Sequence, residues 1–324
     1  MKRERTELEP RSLGAGFALT IGSRGSALAL KQTDWVRTQL IRKWPEARVK
    51  VRIIKTSADR DQTTSIRAGS NIGVFVKEIE EALLSREIDL AVHSLKDVPT
   101  AIPDLLRIVA IPEREDPHDA LITNRAARTI ADLSREAVVG TGSIRRQAQI
   151  LALRPDLTMI DIRGNVETRL KKLSEGICDA LILACAGLHR LGMRDRITAR
   201  LEFHEMLPAP GQGALALEVR KDDHHTADVV SFINHPPTAR AVAVERAFLR
   251  RLGGGCNAPV AVHARLEHGI FEIEGLVASA DGSRIVRKSA RGEAKEAESL
   301  GVALAESLLE AGGEEILKQR HPSE

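Results

Sequence analysis

Apolar and polar positions alternate between strand-like and helix-like periods from residue 17 onward. Residues 17–22 are strand-like, 27–43 repeat apolar positions at helical spacing, and 47–56 alternate as a strand does. A helical pattern at 74–86 and an apolar strand at 88–94 follow. This β-α-β order predicts a parallel or mixed sheet that is covered by helices.

Prolines mark a break after the first hundred residues. Pro99, Pro103, Pro112 and Pro117 predict that regular structure is interrupted between residues 99 and 118, with a crossing between domains near residue 112. The alternation then restarts as strand, helix, strand, helix, strand, with predicted bounds of 137–141, 143–153, 156–162, 165–175 and 178–184.

The pattern changes again after the segment 207–219, where two prolines and two glycines precede a strand-like run and predict a hinge back to the first sheet. A helix at 238–252 is followed by three alternating segments joined through His-Gly and Asp-Gly pairs, which favour hairpin turns. The last helix is predicted around 293–312, after strands at 259–267, 270–279 and 283–290.

We therefore predict an α/β fold with two lobes and a small C-terminal α+β domain that contains an antiparallel three-stranded sheet. A flexible tail is expected over 1–16. Domain 1 is predicted from 17–112 together with 213–231, domain 2 from 113–212, and domain 3 from 232–324. A chain of 324 residues exceeds the size at which a single core keeps growing.

Composition narrows the class of ligand. The formal net charge is only +3 and aromatic residues make up 2% of the chain, which leaves little for base stacking and argues against nucleic acid. Of the 48 basic residues, 13 are lysine, which leaves 35 arginines. Because the planar guanidinium group matches a carboxylate or phosphate bidentately, arginines in loops beside glycine indicate an organic anion as ligand.

Residues 1–16 are charged and lack an apolar stretch, so we expect neither a secretory signal nor a membrane anchor there, and no later segment is apolar over about 18 residues. The three cysteines are too few and too unevenly spaced for a disulfide framework or a zinc site, and no metal is expected. A cytoplasmic protein without membrane contact is predicted, and we expect it to be a monomer.

Arginines follow two successive strands of the second lobe. Arg145 and Arg146 lie in the first turn of a helix that Ser143 is expected to cap, after a strand that ends near Thr141. Positive charge at a helix N-terminus opposes the helix dipole, so the pair indicates an anion site unless both side chains point to solvent. The sequence shows no structural contact that would compensate for placing Arg145 and Arg146 at a helix N-terminus.

The same arrangement recurs nearby. Arg163 and Gly164 end the next strand, Asn165 is expected to cap the following helix, and Arg169 lies one turn into it. Two such turns in one sheet would face a common crevice beyond the carboxyl ends of the strands. A third turn of this kind follows the first strand of the chain, at Arg24 and Ser26. Arg190 is a fourth candidate for anion binding, although its motif alone would indicate a surface residue.

Polar residues also end the strand at 88–94. Ser94, Lys96 and Asp97 precede a proline, and Asp97 either forms a surface ion pair with Lys96 or lies in a crevice. In a crevice its carboxylate could stabilise a developing cation or accept a proton from a pyrrole or an amine. We favour the crevice, because loops at this end of a sheet are where α/β proteins place their sites.

The cysteines divide into two kinds. Cys178 and Cys185 lie in or beside an apolar strand and are predicted to be structural. Cys256 follows three glycines in RLGGGCNAPV, where a ligand can approach the main chain closely. The segment contains no His or Asp that would complete a hydrolase arrangement, so covalent attachment of a ligand is favoured over hydrolysis.

Taken together, the motifs resemble those of the porphobilinogen deaminase family, also called hydroxymethylbilane synthase. They occur in the family's order and cover residues 17 to about 315. The segments that carry the resemblance are IGSRGSALAL, GVFVKEIEEALL, AVHSLKDVPT, EREDPHDALI, VGTGSIRRQ, RGNVETRL, LPAPGQGALALE and GGGCNAPV.

The resemblance implies two lobes like those of type II periplasmic binding proteins, joined by two crossover segments, and a third domain that carries the cofactor cysteine. It implies a transferase that condenses four porphobilinogen molecules head to tail, with loss of ammonia, on a dipyrromethane primer in tetrapyrrole biosynthesis. Water then releases hydroxymethylbilane. Cys256 would hold the dipyrromethane cofactor through a thioether.

The family's site residues map onto matching positions of this chain. Asp97 corresponds to the catalytic aspartate, which also contacts the cofactor. Phe75 corresponds to an aromatic residue at the substrate. The other implied cofactor contacts are Ser94, Lys96, Thr141, Ser143, Arg145, Arg146, Arg163 and Gly164. The implied substrate contacts are Arg24, Ser26, Arg169 and Arg190.

One segment departs from the family pattern. Many members carry a lysine where this chain has Ile72, within RAGSNIGVF, so that anion contact is in doubt here and Arg67 is a candidate replacement. Two other functions remain open from the residues alone. A reversible anion-binding module could use the same two-lobed fold, and a cysteine-dependent transferase could act on another substrate.

Overall fold

The computed structural model describes residues 16–56, 76–253 and 259–319 and contains three β-sheets. Two five-stranded sheets carry helices on their faces, and a three-stranded antiparallel sheet lies near the C-terminus. The predicted α/β class with a smaller α+β unit is therefore confirmed. The limits of the three domains stay a prediction.

The first five-stranded sheet, with its helices, is called lobe 1. Its strand order is β2-β1-β3-β10-β4, with β1 parallel to β2 and β3, and with β10 antiparallel to both of its neighbours. The strands are β1 (Ala18–Ser23), β2 (Arg48–Ile53), β3 (Leu90–Ser94), β4 (Leu106–Ala110) and β10 (Leu215–Arg220), and the helices are α1 (Ala27–Lys43), α2 (Lys77–Leu84) and α6 (His224–Val230).

The second five-stranded sheet, called lobe 2, repeats this plan. Its order is β7-β6-β8-β5-β9, with β6 parallel to β7 and β8, and with β5 antiparallel to β8 and β9. The strands are β5 (Asp119–Thr123), β6 (Val138–Gly140), β7 (Thr158–Ile160), β8 (Ala180–Ala184) and β9 (Ala199–Leu201), and the helices are α3 (Ile144–Leu153), α4 (Val166–Ser174) and α5 (Cys185–Arg190).

In each lobe the antiparallel strand arrives from the other lobe. β5 enters lobe 2 directly after β4 of lobe 1, and β10 enters lobe 1 after β9 of lobe 2. The two connecting segments, residues 111–118 and 202–214, therefore pass between the lobes. This strand order brings the start of β5 and of β10 to the edge where the parallel strands end.

The C-terminal domain packs three helices against one sheet. Strands β11 (Val260–Glu267), β12 (Ile270–Ala278) and β13 (Ile285–Glu293) form consecutive hairpins, and Gly269 and Gly282 adopt positive φ in the predicted turns. The helices are α7 (Pro236–Arg251), α8 (Ala297–Leu308) and α9 (Glu314–Lys318). Phe248 and Phe271 are fully buried in this core.

Gly301 lets the two long helices of this domain approach closely. A Cβ atom at Gly301 would lie 2.3 Å from the backbone oxygen of Val244, on α7. The close contact between α7 and α8 therefore requires glycine at this position.

The patterns located most elements but missed several. The expectation of irregular structure throughout 99–118 is wrong, because β4 fits between Pro103 and Pro112, where five residues suffice for a strand. β5, β9, α5 and α6 were not predicted either. Each has seven residues or fewer, too short to show a period. Within the described ranges, no helix is long and apolar enough to cross a membrane.

Candidate active site

Most of the predicted site residues that the structure describes lie at the carboxyl edges of the two large sheets. In lobe 1, Arg24 and Ser26 follow β1, while Ser94 ends β3 and leads into a 3₁₀ turn at Leu95–Asp97. The structure brings Arg24, Ser26, Ser94 and Asp97 together around one cleft.

Local hydrogen bonds fix this wall of the cleft. The Ser26 side chain caps α1 by accepting a hydrogen bond from the Ala29 amide at 3.3 Å. Ser94 exchanges hydrogen bonds with the side chain of Gln32, with its Oγ 2.9 Å from Nε2 and 3.2 Å from Oε1. Gln32 also lines the cleft, and sequence reasoning did not identify it.

Asp97 lies in the crevice, as favoured from the sequence. Asp97 lines the cleft with Arg24, and no ion pair with Lys96 forms among the residues that the structure describes. Lys96 points elsewhere, since its Nζ donates to Oε1 of Gln212 at 3.4 Å. The surface ion pair that was the alternative interpretation is therefore not observed.

In lobe 2, β6 leads into α3 through Thr141 and Ser143. Thr141 is buried, and its Oγ1 accepts a hydrogen bond from the amide of Ser143 at 3.2 Å. Ser143 occupies the N-cap position of α3, but its side chain makes no capping hydrogen bond. The expectation of a serine cap is thus confirmed in position and wrong in the contact.

Arg145 and Arg146 are buried and share one carboxylate. Both guanidinium groups contact Asp119 at the start of β5, with Nη2 of Arg145 2.7 Å from Oδ2 and Nη2 of Arg146 2.7 Å from Oδ1. Arg145 also donates to the oxygen of Leu207, and Arg146 to the oxygen of Ile182. The interpretation that no structural contact compensates the arginine pair is wrong, because Asp119 pairs with both side chains. Asp119 belongs to β5, a strand that the sequence did not reveal.

This cluster retains excess positive charge. Burial raises the pKa of Asp119, but the guanidinium groups of Arg145 and Arg146 outweigh that effect and hold the pKa well below its usual range. One carboxylate therefore faces two guanidinium groups, and Lys96 approaches the same cluster through Gln212. Burial, and next the charge of Arg146, lower the pKa of Lys96 to about 8.

The second predicted turn of lobe 2 adds two more cations. Asn165 caps α4 as expected, by accepting a hydrogen bond from the Thr168 amide at 2.8 Å. Nε of Arg169 donates to the oxygen of Gly164 at 2.8 Å, and Arg163 pairs with Asp161. Burial, and next the charge of Arg146, lower the pKa of Arg169 to about 10, so the cations of both turns lie within electrostatic reach of one another.

Gly164 is needed where the chain turns from β7 into α4. It adopts a φ of +109°, and a Cβ atom there would lie 2.7 Å from Cγ2 of Thr168. Its oxygen is then free of side-chain obstruction and accepts from Arg169. This glycine therefore positions Arg169 through the main chain.

Arg190 joins the site through the second connecting segment. It ends α5, and its Nη2 donates to the oxygen of Gly213 at 2.7 Å. Burial lowers its pKa to about 10, and the carboxylate of Glu115 opposes that shift. Arg190 is therefore half-buried beside the connecting segments and is not the free surface residue that its motif alone would suggest.

Two acidic side chains of lobe 1, the buried Glu218 and the half-buried Glu80, lie within electrostatic reach of each other. His93, which lines the cleft, has its Nε2 3.1 Å from Oε2 of Glu218, and both side chains are buried. Burial, and next the charge of Glu218, raise the pKa of Glu80 on α2 to about 7. Neither acid was identified from the sequence.

The two cysteines that the structure describes are of the kind predicted to be structural. Cys178 and Cys185 are buried and unpaired, and burial raises the pKa of both thiols, that of Cys185 to about 12. Such thiols are poor nucleophiles, which agrees with a structural role. Cys256 and Phe75, as well as Arg67 and Ile72, lie outside the described residues.

The described site can bind an organic ligand that carries several carboxylates. Five cations approach one region, and the three nearby carboxylates, Asp97, Asp119 and Asp161, do not balance them. Hydroxyl and amide groups of the Ser94–Gln32 pair line the adjoining cleft. The donor set of cations, hydroxyls and the Asp97 carboxylate thus fits a pyrrole chain with acidic side chains.

Two family descriptions match most of the chain. The family description "Porphobilinogen deaminase, dipyromethane cofactor binding domain" matches residues 19–228, and "Porphobilinogen deaminase, C-terminal domain" matches residues 239–310. Among solved structures, the chain is similar to the methionine-binding protein MetQ, with 11% identity, coverage of 77% of this chain and 99% of that chain, and a TM-score of 0.43.

Curated relatives match over nearly the whole chain. The porphobilinogen deaminase of Thermus thermophilus is 51% identical over 302 residues, which are 93% of this chain and 98% of that protein. That of Geobacter sulfurreducens is 49% identical over 306 residues, 94% of this chain and 96% of that protein. The binding-module alternative is not favoured by these matches. The chain belongs to the porphobilinogen deaminase family, whose members are transferases with a dipyrromethane cofactor.

Proposed function

We propose that the two cationic turns and Lys96 hold the carboxylates of the dipyrromethane cofactor and of the growing pyrrole chain, while Asp97 acts at the reacting pyrrole. Ser94, Lys96, Thr141, Ser143, Arg145, Arg146, Arg163 and Gly164 would contact the cofactor. Arg24, Ser26, Arg169, Arg190 and Phe75 would contact the substrate porphobilinogen. Cys256 would carry the cofactor, which supplies the pyrrole carbon on which the chain is extended.

One observation carries this proposal. Lys96 of lobe 1 and the Arg145–Arg146 pair of lobe 2 meet in one buried network, beside the cleft that Asp97 lines. Cations from both lobes can therefore hold the same acidic oligomer while the reacting end lies at Asp97. A single lobe offers only part of this charge.

Electrostatics gives the reason for so many cations. Each porphobilinogen unit adds two carboxylates, and a carboxylate about 4 Å from a guanidinium gains roughly 4 kcal/mol at an effective dielectric of about 20. The chain gains negative charge at each step, so its retention requires cations in excess of the protein's own carboxylates. Arg145 and Arg146 provide such an excess because Asp119 neutralises only one of them.

Asp97 would act on the step in which ammonia leaves the substrate. Loss of ammonia leaves positive charge on the substrate pyrrole, and a carboxylate fixed in the cleft stabilises that charge as it develops. The same carboxylate can accept a hydrogen bond from a pyrrole N–H. Arg24 across the cleft would hold a substrate carboxylate, so the ring is oriented between two opposite charges.

The decisive experiment compares covalent loading and turnover in two substitutions. We expect Cys256→Ser protein to lack the dipyrromethane mass on intact-mass spectrometry, whereas Asp97→Asn protein keeps the mass but turns over roughly 10²- to 10³-fold more slowly. Cys178→Ser is the matched control and should carry the full adduct. Equal adducts in the Cys256→Ser and Cys178→Ser proteins, or near-normal turnover of Asp97→Asn, would contradict the assignment.

We also propose that the enzyme is a cytoplasmic monomer. The two described cysteines are free, which suits a reducing compartment. Light scattering on the purified holoenzyme would test the monomer, since a dimer would double the measured mass from about 35.4 kDa.

A further inference from the structure

The side chain of Gln212 lies fully buried in the second connecting segment and touches both lobes. Its Nε2 donates to the oxygen of Pro117 at 2.8 Å and to Oδ1 of Asp119 at 2.9 Å, on the lobe 2 side. Its Oε1 accepts from Nζ of Lys96 at 3.4 Å, on the lobe 1 side. A single neutral side chain thus connects the lysine with the aspartate that binds Arg145 and Arg146.

The chemistry of its neighbours fixes the orientation of this amide. Asp119 and Pro117 offer only acceptors, and Lys96 offers only donors. Turning the amide over would direct its oxygen at a carboxylate and its NH₂ group at an ammonium. The main chain of Gln212 is held as well, because Nε of Arg114 donates to its oxygen at 2.7 Å.

Lys96 depends on this contact more than an exposed lysine would. It lies within electrostatic reach of Arg145 and Arg146, both of which disfavour its charge, while Asp97 and Asp119 favour it. Among the residues that the structure describes, Gln212 is the one that accepts a hydrogen bond from its ammonium. The other two N–H groups of Lys96 therefore remain available for an anion.

We propose that Gln212 is a positioning residue that holds the Lys96 ammonium against the arginine cluster of lobe 2, so that cations of both lobes face one anion site. This inference rests on the role proposed for Lys96 as a cofactor contact. A carboxylate at position 212 would neutralise the site, and a second cation would repel Lys96. A neutral amide does neither, and it keeps the excess positive charge for the ligand.

The experiment measures the protonation of Lys96 directly, in the intact holoenzyme. Carbamylation by cyanate modifies only the uncharged amine, so its rate at Lys96 as a function of pH, read by peptide mass spectrometry and normalised to the plateau at high pH, gives the midpoint of titration. The burial that lowers the pKa of Lys96 to about 8 makes this midpoint accessible.

In Gln212→Met, which keeps the volume and loses the amide, we expect the midpoint to fall by roughly one unit, because a hydrogen bond to the charged form is lost. At pH values well below the midpoint, the normalised modification of Lys96 should rise by about tenfold, because the uncharged fraction grows tenfold for each unit by which the pKa falls. Gln212→Asn withdraws the amide by one methylene and should lower the midpoint in the same direction, which covers the case in which the Met variant does not fold.

Gln149→Met is the matched control. Gln149 is also buried, and it donates to Leu207 and Arg145 without touching Lys96. Its variant should leave the Lys96 midpoint in place. An unmoved midpoint in both Gln212 variants, or an equal shift in Gln149→Met, would overturn the proposal.

Turnover separates this inference from the proposed function. If charged Lys96 holds a ligand carboxylate, kcat should fall as the pH rises through the titration midpoint of Lys96. In Gln212→Met, this alkaline decline in kcat should occur at a pH lower by the same roughly one unit. A midpoint that moves without the kcat limb would support the Gln212 contact while overturning the role assigned to Lys96. The two failures are therefore distinguishable.

Discussion

At the scale of single residues, the sequence identified the cations of the site but not what holds them. Arg24, Arg145, Arg146 and Arg169 were recognised because each follows a strand beside glycine, serine or asparagine. Asp119 and Gln212 were missed, since they lie in proline-containing segments without a period. The one available signal for Asp119 was a charged residue that opens an otherwise apolar run, DALIT.

Asp119→Asn should destabilise the protein strongly, because it leaves two buried guanidinium groups without their counter-charge. We expect the free energy of unfolding to fall by roughly 3–5 kcal/mol at pH 7, measured by urea denaturation. The depressed pKa of Asp119 means that its contribution is present above the ordinary carboxyl pKa and is lost only in strong acid. The difference in the free energy of unfolding between the wild type and Asp119→Asn should therefore be constant from pH 5 to 8 and become smaller below about pH 4.

Asp156→Asn provides the control for that measurement. Asp156 pairs with Arg154 at 2.7 Å on the surface of the same lobe. Its removal should cost far less stability, because water replaces the lost contact. A loss as large as that of Asp119→Asn would show that burial is not the reason for the effect.

Glu80 should make the protein less stable as the solution becomes more alkaline. Its pKa rises from 4.5 to about 7 on folding, so the folded state holds a proton that the unfolded state releases between these values. The cost of charging Glu80 therefore grows with pH above about 4.5 and is complete above about 7. The free energy of unfolding of Glu80→Gln should be equal to or lower than that of the wild type at pH 5, and higher than that of the wild type at pH 8.

Urea denaturation at both pH values checks this reversal. Glu81→Gln is the control, because Glu81 is exposed on the same helix and, among the described residues, pairs with Lys77 alone. It should show no change of sign between pH 5 and pH 8. A Glu80→Gln variant that is less stable at both pH values would contradict the expected effect of burial.

At the scale of elements, the sequence predicted long helices almost to the residue and lost short strands. The helix predicted over 27–43 is α1 with the same bounds, because its period extends over 17 residues and it carries a serine cap. β9 has three residues and β5 has five, and their place is fixed by pairing with β8. Pairing across some 60 residues of chain leaves no local pattern to recognise.

Gly301→Ala should loosen the contact between α7 and α8. The added methyl group would meet the Val244 oxygen at 2.3 Å, and neither helix backbone can yield without moving its neighbours. We expect a loss of roughly 1–3 kcal/mol in the free energy of unfolding, although alanine favours helix over glycine by about 1 kcal/mol at an open position. Ala303→Ser, on the exposed face of α8, should change stability little; a stabilising Gly301→Ala would contradict the packing.

At the scale of the whole molecule, one buried carboxylate joins the C-terminal domain to both connecting segments. Glu245 on α7 binds Arg114 through both oxygens, at 2.6 Å and 3.1 Å. It also accepts from the amides of Gly211 and Ala264, at 2.7 Å and 2.9 Å. The sequence did not predict this contact, because its four members lie far apart along the chain and only the assembled fold brings them together.

Glu245→Gln should uncouple the C-terminal domain from the two lobes. The substitution leaves Arg114 buried without its counter-charge, and breaking such a pair costs roughly 3–5 kcal/mol. Calorimetry of the variant should then resolve separate unfolding transitions for the C-terminal domain and for the lobes, and these transitions should overlap more in the wild type. Glu306→Gln, which alters the exposed pair with Arg251, should keep the wild-type profile; an unchanged profile in Glu245→Gln as well would contradict the coupling.

The route of β10 has a consequence for the chain while the ribosome is still making it. β3 and β4 have been synthesised by residue 110, yet the strand that separates and pairs with both of them begins only at Leu215. Until that strand leaves the exit tunnel, both edges stay open to wrong partners. A nascent chain that stalls after lobe 2 would thus expose two unpaired edges of an apolar sheet, the kind of surface that chaperones recognise.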